Sequence, residues 1–239
     1  MALAEAGVAT HPAVVPIQPL LARPGFDPAL LRKLIQANRR DQEVHRYRTF
    51  DELLAYCDLS ANPLGRLVLA LFGVPSAATA PPSVDQDETT TRSHRAGTMA
   101  AADLLAASDA VCSALQVVEH LQDVREDYLV GRIYLPLEDL ERFGCTEADL
   151  ASAKAPMALR AVVCLEARRS REMLEQGAAL VSSLSGWERL AVAGFVAGGA
   201  AALDAIEAAG HDVLARDCRP RPTRVARHMA RLLLRANRP

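Results

Sequence analysis

Aromatic side chains are scarce in this chain: five Phe, four Tyr and one Trp among 239 residues. Any apolar pocket must therefore be walled mainly by Ala, Val and Leu. Cys57, Cys112, Cys145, Cys164 and Cys218 are odd in number, widely spaced and form no CxxC pair. Neither a disulfide framework nor a zinc knuckle follows, and a reducing cytoplasm fits best. A charge bias is also missing: the formal net charge is −2 and the pI about 6.3, which shows no overall lean towards nucleic acid although local clusters can hide inside a balanced total, and no nucleic-acid partner is expected. The first residues lack a basic stretch ahead of an apolar one and do not read as a secretory signal. The longest apolar run, Leu190 to Leu203, would rise only about 21 Å as a helix, short of the roughly 30 Å of a hydrocarbon core. It is expected to be a buried helix. Runs of alternating β-branched residues are absent as well, which argues against a sheet.

Half of the residues are apolar, enough for a sizeable core, and they recur at helical spacing almost everywhere. An all-α fold is predicted. Asp27-Pro28 reads as a helix start, and Thr49 with Glu52 as a capping box opening a helix to Leu59. Further helices are predicted over Asn62 to Leu71, Ala101 to Val130, Thr146 to Ser152, Pro156 to Leu184 and Ser185 to Ala209. Gly73, Gly131 and Gly210 are the expected stops. Residues 1–25 form an N-terminal segment ahead of a helical domain over 26–216. Within that domain, 74–98 is rich in Pro, Ser, Thr and charge and reads as a disordered insertion, a surface loop or a lid over a site. The tail, 217–239, holds seven arginines and His228. Its apolar stripe of Val225, Met229, Leu232 and Leu233 allows either a solvated basic tail or a helix meeting anionic lipid on the inner face of a membrane.

The stretch from Gln116 to Pro136, QVVEHLQDVREDYLVGRIYLP, concentrates the chemistry. On a helix, Asp123, Glu126 and Asp127 fall three and four positions apart and share one side. A bare acidic face describes any amphipathic surface helix. The sequel adds Arg132 and Tyr134 just past a Gly stop, which puts a cation and a phenol beyond the carboxylates. Those are the parts a magnesium and diphosphate site needs, since Mg²⁺ takes only one or two carboxylates and phosphate oxygens complete its shell.

This stretch resembles the second aspartate-rich motif of the squalene/phytoene synthase family, which runs Gln, then Asp-x-x-Glu-Asp, then Gly-Arg-x-Tyr-Leu-Pro. Tyr56-Cys57-Asp58-Leu59-Ser60-Ala61-Asn62-Pro63-Leu64-Gly65-Arg66 is similar to the family's Tyr-Cys helix, in the form typical of its bacterial hydroxysqualene synthase branch. Asp41 with Arg46-Tyr47, Arg169-Ser170-Arg171 and Gly198-Gly199 extend the likeness from about Phe26 to Leu214. Two departures stand out. Glu119 replaces a usual Asn, and the first aspartate-rich motif, Asp-Asp-x-x-Asp, has no counterpart between Met1 and Arg40; its helix is expected ahead of Met1.

The resemblance implies an isoprenoid synthase fold without its N-terminal helices. It implies Mg²⁺ on Asp123, Glu126 and Asp127, with Asp123, Asp127 and Tyr56 as catalytic residues. Gln116, Arg132, Tyr134, Arg66 and Arg169 would bind an isoprenoid diphosphate, although Arg169 could equally pair with a nearby acid. The implied reaction is conversion of presqualene diphosphate to hydroxysqualene. Alternatives are head-to-head condensation of two prenyl diphosphates, or a non-catalytic family member that acts as an interaction protein.

Overall fold

The computed structural model describes residues 11–12, 14–21, 26–74 and 99–236. The predicted insertion therefore lies outside the described residues except for Val74, as does part of the 1–25 segment. Among the described residues regular structure is helical, and one isolated bridge pairs Arg46 with Ile133. The all-α expectation holds.

The helices begin where short-range chemistry places them. Asp27 accepts the Ala29 N–H at 2.9 Å at the start of α1 (Ala29–Glu43). Thr49 Oγ1 accepts the Glu52 N–H at 3.2 Å to open α2 (Phe50–Ser60), while the Glu52 carboxylate takes the Arg48 N–H at 2.7 Å. Then follow α3 (Asn62–Leu71), α4 (Ala101–Gln122), α5 (Val124–Leu129) and α6 (Leu137–Phe143). A 3-10 helix (Glu147–Ala151) sits under a Thr146–Asp149 capping box, where a short α-helix was expected. The chain ends with α7 (Met157–Gly177), α8 (Ala179–Ser183), α9 (Gly186–Ala208) and α10 (Pro222–Ala236). Gly73, Gly131 and Gly210 stop their helices with φ of 80°, 81° and 63°.

Helix α4 is the axis of the fold. It packs along α7 and touches α2, α3, α8 and α9, and its Ala114, Val117, Val118 and Leu121 are buried. Two glycines let neighbours approach it. A Cβ on Gly65 of α3 would lie 2.5 Å from both Cys112 Sγ and Ser108 Oγ, and one on Gly177 of α7 would lie 2.7 Å from the Ala107 carbonyl oxygen.

Three elements differ from expectation. The helix predicted from Ala101 to Val130 breaks at Asp123, whose φ of −104° and ψ of 15° leave the helical region. Aspartate competes for backbone hydrogen bonds and tolerates such a bend. The predicted Pro156 to Leu184 helix ends at Gly177, pressed against α4, and resumes as α8. The basic tail folds as α10 and docks on α8 and α9. Met229, Leu232, Leu233 and Ala236 pack against the core, so this protein's own body takes up most of the stripe that could have met lipid. Asp204 of α9 anchors the helix through His228 at 2.8 Å and Arg227 at 3.6 Å.

Candidate active site

The segment after α5 lies beside the segment before α2. Ile133 N–H donates to the His45 carbonyl, Leu137 N–H to Tyr47 and Glu138 N–H to Arg48, each at 2.9 Å. Arg46 fixes the register by donating to the Gly131 carbonyl at 2.7 Å and pairing with Glu147 at 2.9 Å. This ladder gathers three of the four tyrosines. Tyr47 lies 5.4 Å from Tyr56 and 5.8 Å from Tyr134, and Tyr56 lies 5.7 Å from Tyr134, between ring centroids. Tyr134 donates to Asp41 Oδ1 at 3.4 Å. Burial, and after it the hydrogen bond with Asp41, pushes the Tyr56 phenol far above its ordinary range. It stays protonated near neutral pH and keeps its O–H as a hydrogen-bond donor.

The carboxylates of the acidic motif divide at the Asp123 bend. Asp127 turns towards His120, 3.6 Å from Nδ1, beside Tyr134 and Ile133. Asp123 and Glu126 line a recess of about 520 Å³ against Ala215 to Arg219. The Asp127 N–H still bonds the Asp123 carbonyl at 2.8 Å, so the two remain one turn apart. Burial, then Asp127 and Glu126, raises the Asp123 carboxyl above its usual range. Hard oxygen donors that repel each other suit Mg²⁺, which would relieve the repulsion. Yet no three of the described His, Cys, Asp and Glu side chains converge into a metal-binding cluster. A pair is what this helix offers, and a pair is what Mg²⁺ commonly takes from protein.

A cavity of about 260 Å³ opens along the preceding turns of α4, between α3, α8 and α9. Leu64, Val68, Val111, Leu115 and Val192 wall it, with Phe195 as its one aromatic, and Gln116 and Glu119 form its polar end. The expectation of an aliphatic pocket is met. Of the glycine pair on α9, Gly199 serves packing: a Cβ there would lie 2.6 Å from Leu115 Cδ2 and 3.0 Å from Leu174 Cδ1. Gly198 has open space.

Gln116 Nε2 lies 3.2 Å from His120 Nε2 and borders the cavity. Arg132 donates to the Asp41 carbonyl at 3.3 Å, near the tyrosines. Arg66 pairs with Asp109, its Nε 2.9 Å from Oδ1, and does not reach the acidic motif through any hydrogen bond. Arg169 is held at 2.6 Å by both Asp139 and Glu166, over the Phe50 ring. The acid-pairing alternative is the one observed for Arg169, and Asp139 is the partner that sequence distance hid. One further site member was not singled out as such: Asp41, the acceptor of the tyrosine cluster, for which the Asp41, Arg46-Tyr47 grouping was the available signal. His120, which shares the acidic face of α4, stacks its ring on Tyr134.

Helical architecture of this kind, an apolar cavity leading to a carboxylate turn, is that of the isoprenoid synthase fold. A dehydrosqualene synthase crystal structure in complex with ligand superposes with TM-score 0.77 at 19% identity, covering 98% of this chain and 74% of that one. Squalene synthase HpnC from Alicyclobacillus acidocaldarius superposes with TM-score 0.72 at 35% identity, covering 88% and 70%. The squalene/phytoene synthase profile matches residues 2–230, and the chain belongs to that family. It is 34% identical over 178 residues to hydroxysqualene synthase of Sinorhizobium fredii, covering 73% of this chain and 51% of that protein. It is also 34% identical over 177 residues to phytoene synthase of Arthrospira platensis, covering 73% and 53%. The chain thus spans about half the length of the curated relatives it matches.

Proposed function

We propose that this chain carries the site converting presqualene diphosphate and water to hydroxysqualene and diphosphate. One observation carries the reading: α4 walls the apolar cavity with Val111 and Leu115, closes it with Gln116 and Glu119, and runs directly into Asp123 and Asp127. A hydrocarbon with a diphosphate at one end matches that sequence of surfaces. The relatives named hydroxysqualene synthase support this reaction within the family.

A pair of the motif's carboxylates, Asp123 with Asp127, would hold Mg²⁺, which supplies positive charge to the departing diphosphate, with Glu126 adding negative charge nearby. Arg132 and Gln116 would bind diphosphate oxygens, and the Tyr56 and Tyr134 hydroxyls, which hydrogen-bond Asp41, would have to turn from it to donate to the same group. Preorganised donors help most where negative charge develops. The aliphatic part of the wall offers no nucleophile to the cation left behind, Ser108, Cys112 and the polar end being the exceptions among the lining residues. Cys112, a thiol on the cavity wall, is pushed up to about 11 by burial and stays protonated.

The test is product analysis with Mg²⁺ and each of three substrates: presqualene, farnesyl and geranylgeranyl diphosphate. Hydroxysqualene from the first alone is expected. A condensation product from either of the others would replace this reading by head-to-head synthesis, and absence of diphosphate release from all three would leave the non-catalytic role.

A further inference from the structure

A second cleft, of about 480 Å³, lies between α7, α9 and α10 and shares no lining residue with the central cavity. Leu174, Val196 and Ala200 give it an apolar floor, and Arg171, Arg231 and Arg235 stand at its rim. Glu175 is the one acid among its lining residues. The cations are not equivalent. Arg171 is engaged by Asp204 and Glu207 at 3.3 Å each, and His228 is held by Asp204 at 2.8 Å. Arg231 and Arg235 make no ion pair or hydrogen bond with any described residue.

Two unpaired guanidinium groups one helical turn apart, above a hydrocarbon floor, form a complement to a particular chemistry. Guanidinium binds phosphate through paired N–H donors, and the floor would take an attached chain out of water. Leu234, between these arginines in sequence, is 68% exposed, the apolar-with-cation pattern of helices that lie at lipid surfaces.

We propose that this cleft binds an amphiphile with a phosphate head on Arg231 and Arg235 and a hydrocarbon chain over Leu174, Val196 and Ala200. The site is separate from the function assigned to the central cavity and does not depend on it. Two sources supply such a molecule: a phospholipid of an anionic bilayer, or a free isoprenoid phosphate.

Co-sedimentation of the protein in EDTA with phosphatidylglycerol and with phosphatidylcholine vesicles tests the first source. Thermal shift with dispersed geranyl phosphate in EDTA tests the second. In whichever arm the wild type binds, R231Q/R235Q should weaken binding about 30-fold, since each cation facing an anionic group contributes about fivefold. Ala200→Leu, which fills the floor and keeps the charges, should weaken it too. Both variants should keep the wild-type far-UV circular dichroism. No binding in either arm overturns the proposal, as does loss in R231Q/R235Q with Ala200→Leu binding like wild type, which would reduce the cleft to surface charge.

Discussion

His120 and Tyr134 stack face to face, their ring centroids 3.7 Å apart and their planes within 9° of parallel. The pair joins α4 to the segment after α5, fourteen residues on, across the Asp123 bend that lies between them. Its strength is measurable by a double-mutant cycle with His120→Ala and Tyr134→Leu. A coupling of about 1 kcal/mol is expected in urea unfolding, typical of aromatic pairs beyond simple burial. Additive losses would mean that the stack adds nothing beyond the burial of each ring.

Asp123→Asn should separate stability from function. The Asp123 carboxyl is raised by burial and by Asp127 and Glu126, so its ionised form costs the folded state. Its contribution to stability therefore falls as pH rises through the folded pKa. The Asn variant is expected to melt a few degrees higher at pH 7 in EDTA, and to lose Mg²⁺-dependent diphosphate release by orders of magnitude. A lower melting temperature would show that the carboxylate is a structural acceptor instead.

Glu166 makes a pH prediction of the same sign from a different place. It is fully buried on α7, and burial raises its carboxyl to about 8, only partly opposed by Arg169. Between its ordinary value near 4.5 and about 8, the folded state binds more protons than the unfolded state. Stability should fall as pH rises through that window, by up to about 1.4 kcal/mol per pH unit. Comparing Glu166→Gln with wild type by chemical denaturation at pH 5 and pH 8 checks this. The Gln variant should gain on the wild type at the higher pH, and parallel curves would refute the assignment.

The two glycine contacts on α4 should differ in cost. A methyl on Gly65 meets the ends of side chains, Cys112 Sγ and Ser108 Oγ, which can shift. A methyl on Gly177 meets backbone, 2.7 Å from the Ala107 carbonyl oxygen and 3.1 Å from the Val111 nitrogen. Gly177→Ala should lose about 2–3 kcal/mol and Gly65→Ala about 1 kcal/mol, by thermal unfolding, within the range of overpacked cores. The reverse order would place the flexibility in α7.

Much of the helical framework was legible because apolar spacing, caps and glycine stops are local signals. Thr49, Gly131 and Gly210 act where they stand in the sequence. The acidic motif and Gly-Arg-Ile-Tyr-Leu-Pro were legible for the same reason. What sequence reading missed depends on distance along the chain. Asp41 meets Tyr134 across 93 residues, and Asp139 meets Arg169 across 30, with no periodicity to announce either. The bend at Asp123 depends on what its neighbours touch, and an amphipathic stripe such as that of α10 does not state whether lipid or its own protein will cover it.

Gly199 has a wall residue of each compartment beside it. Leu115 borders the central cavity, Leu174 floors the cleft under α10, and a Cβ on Gly199 would meet both, at 2.6 Å and 3.0 Å. One methyl group placed there would therefore crowd the cavity through one leucine and the cleft through the other.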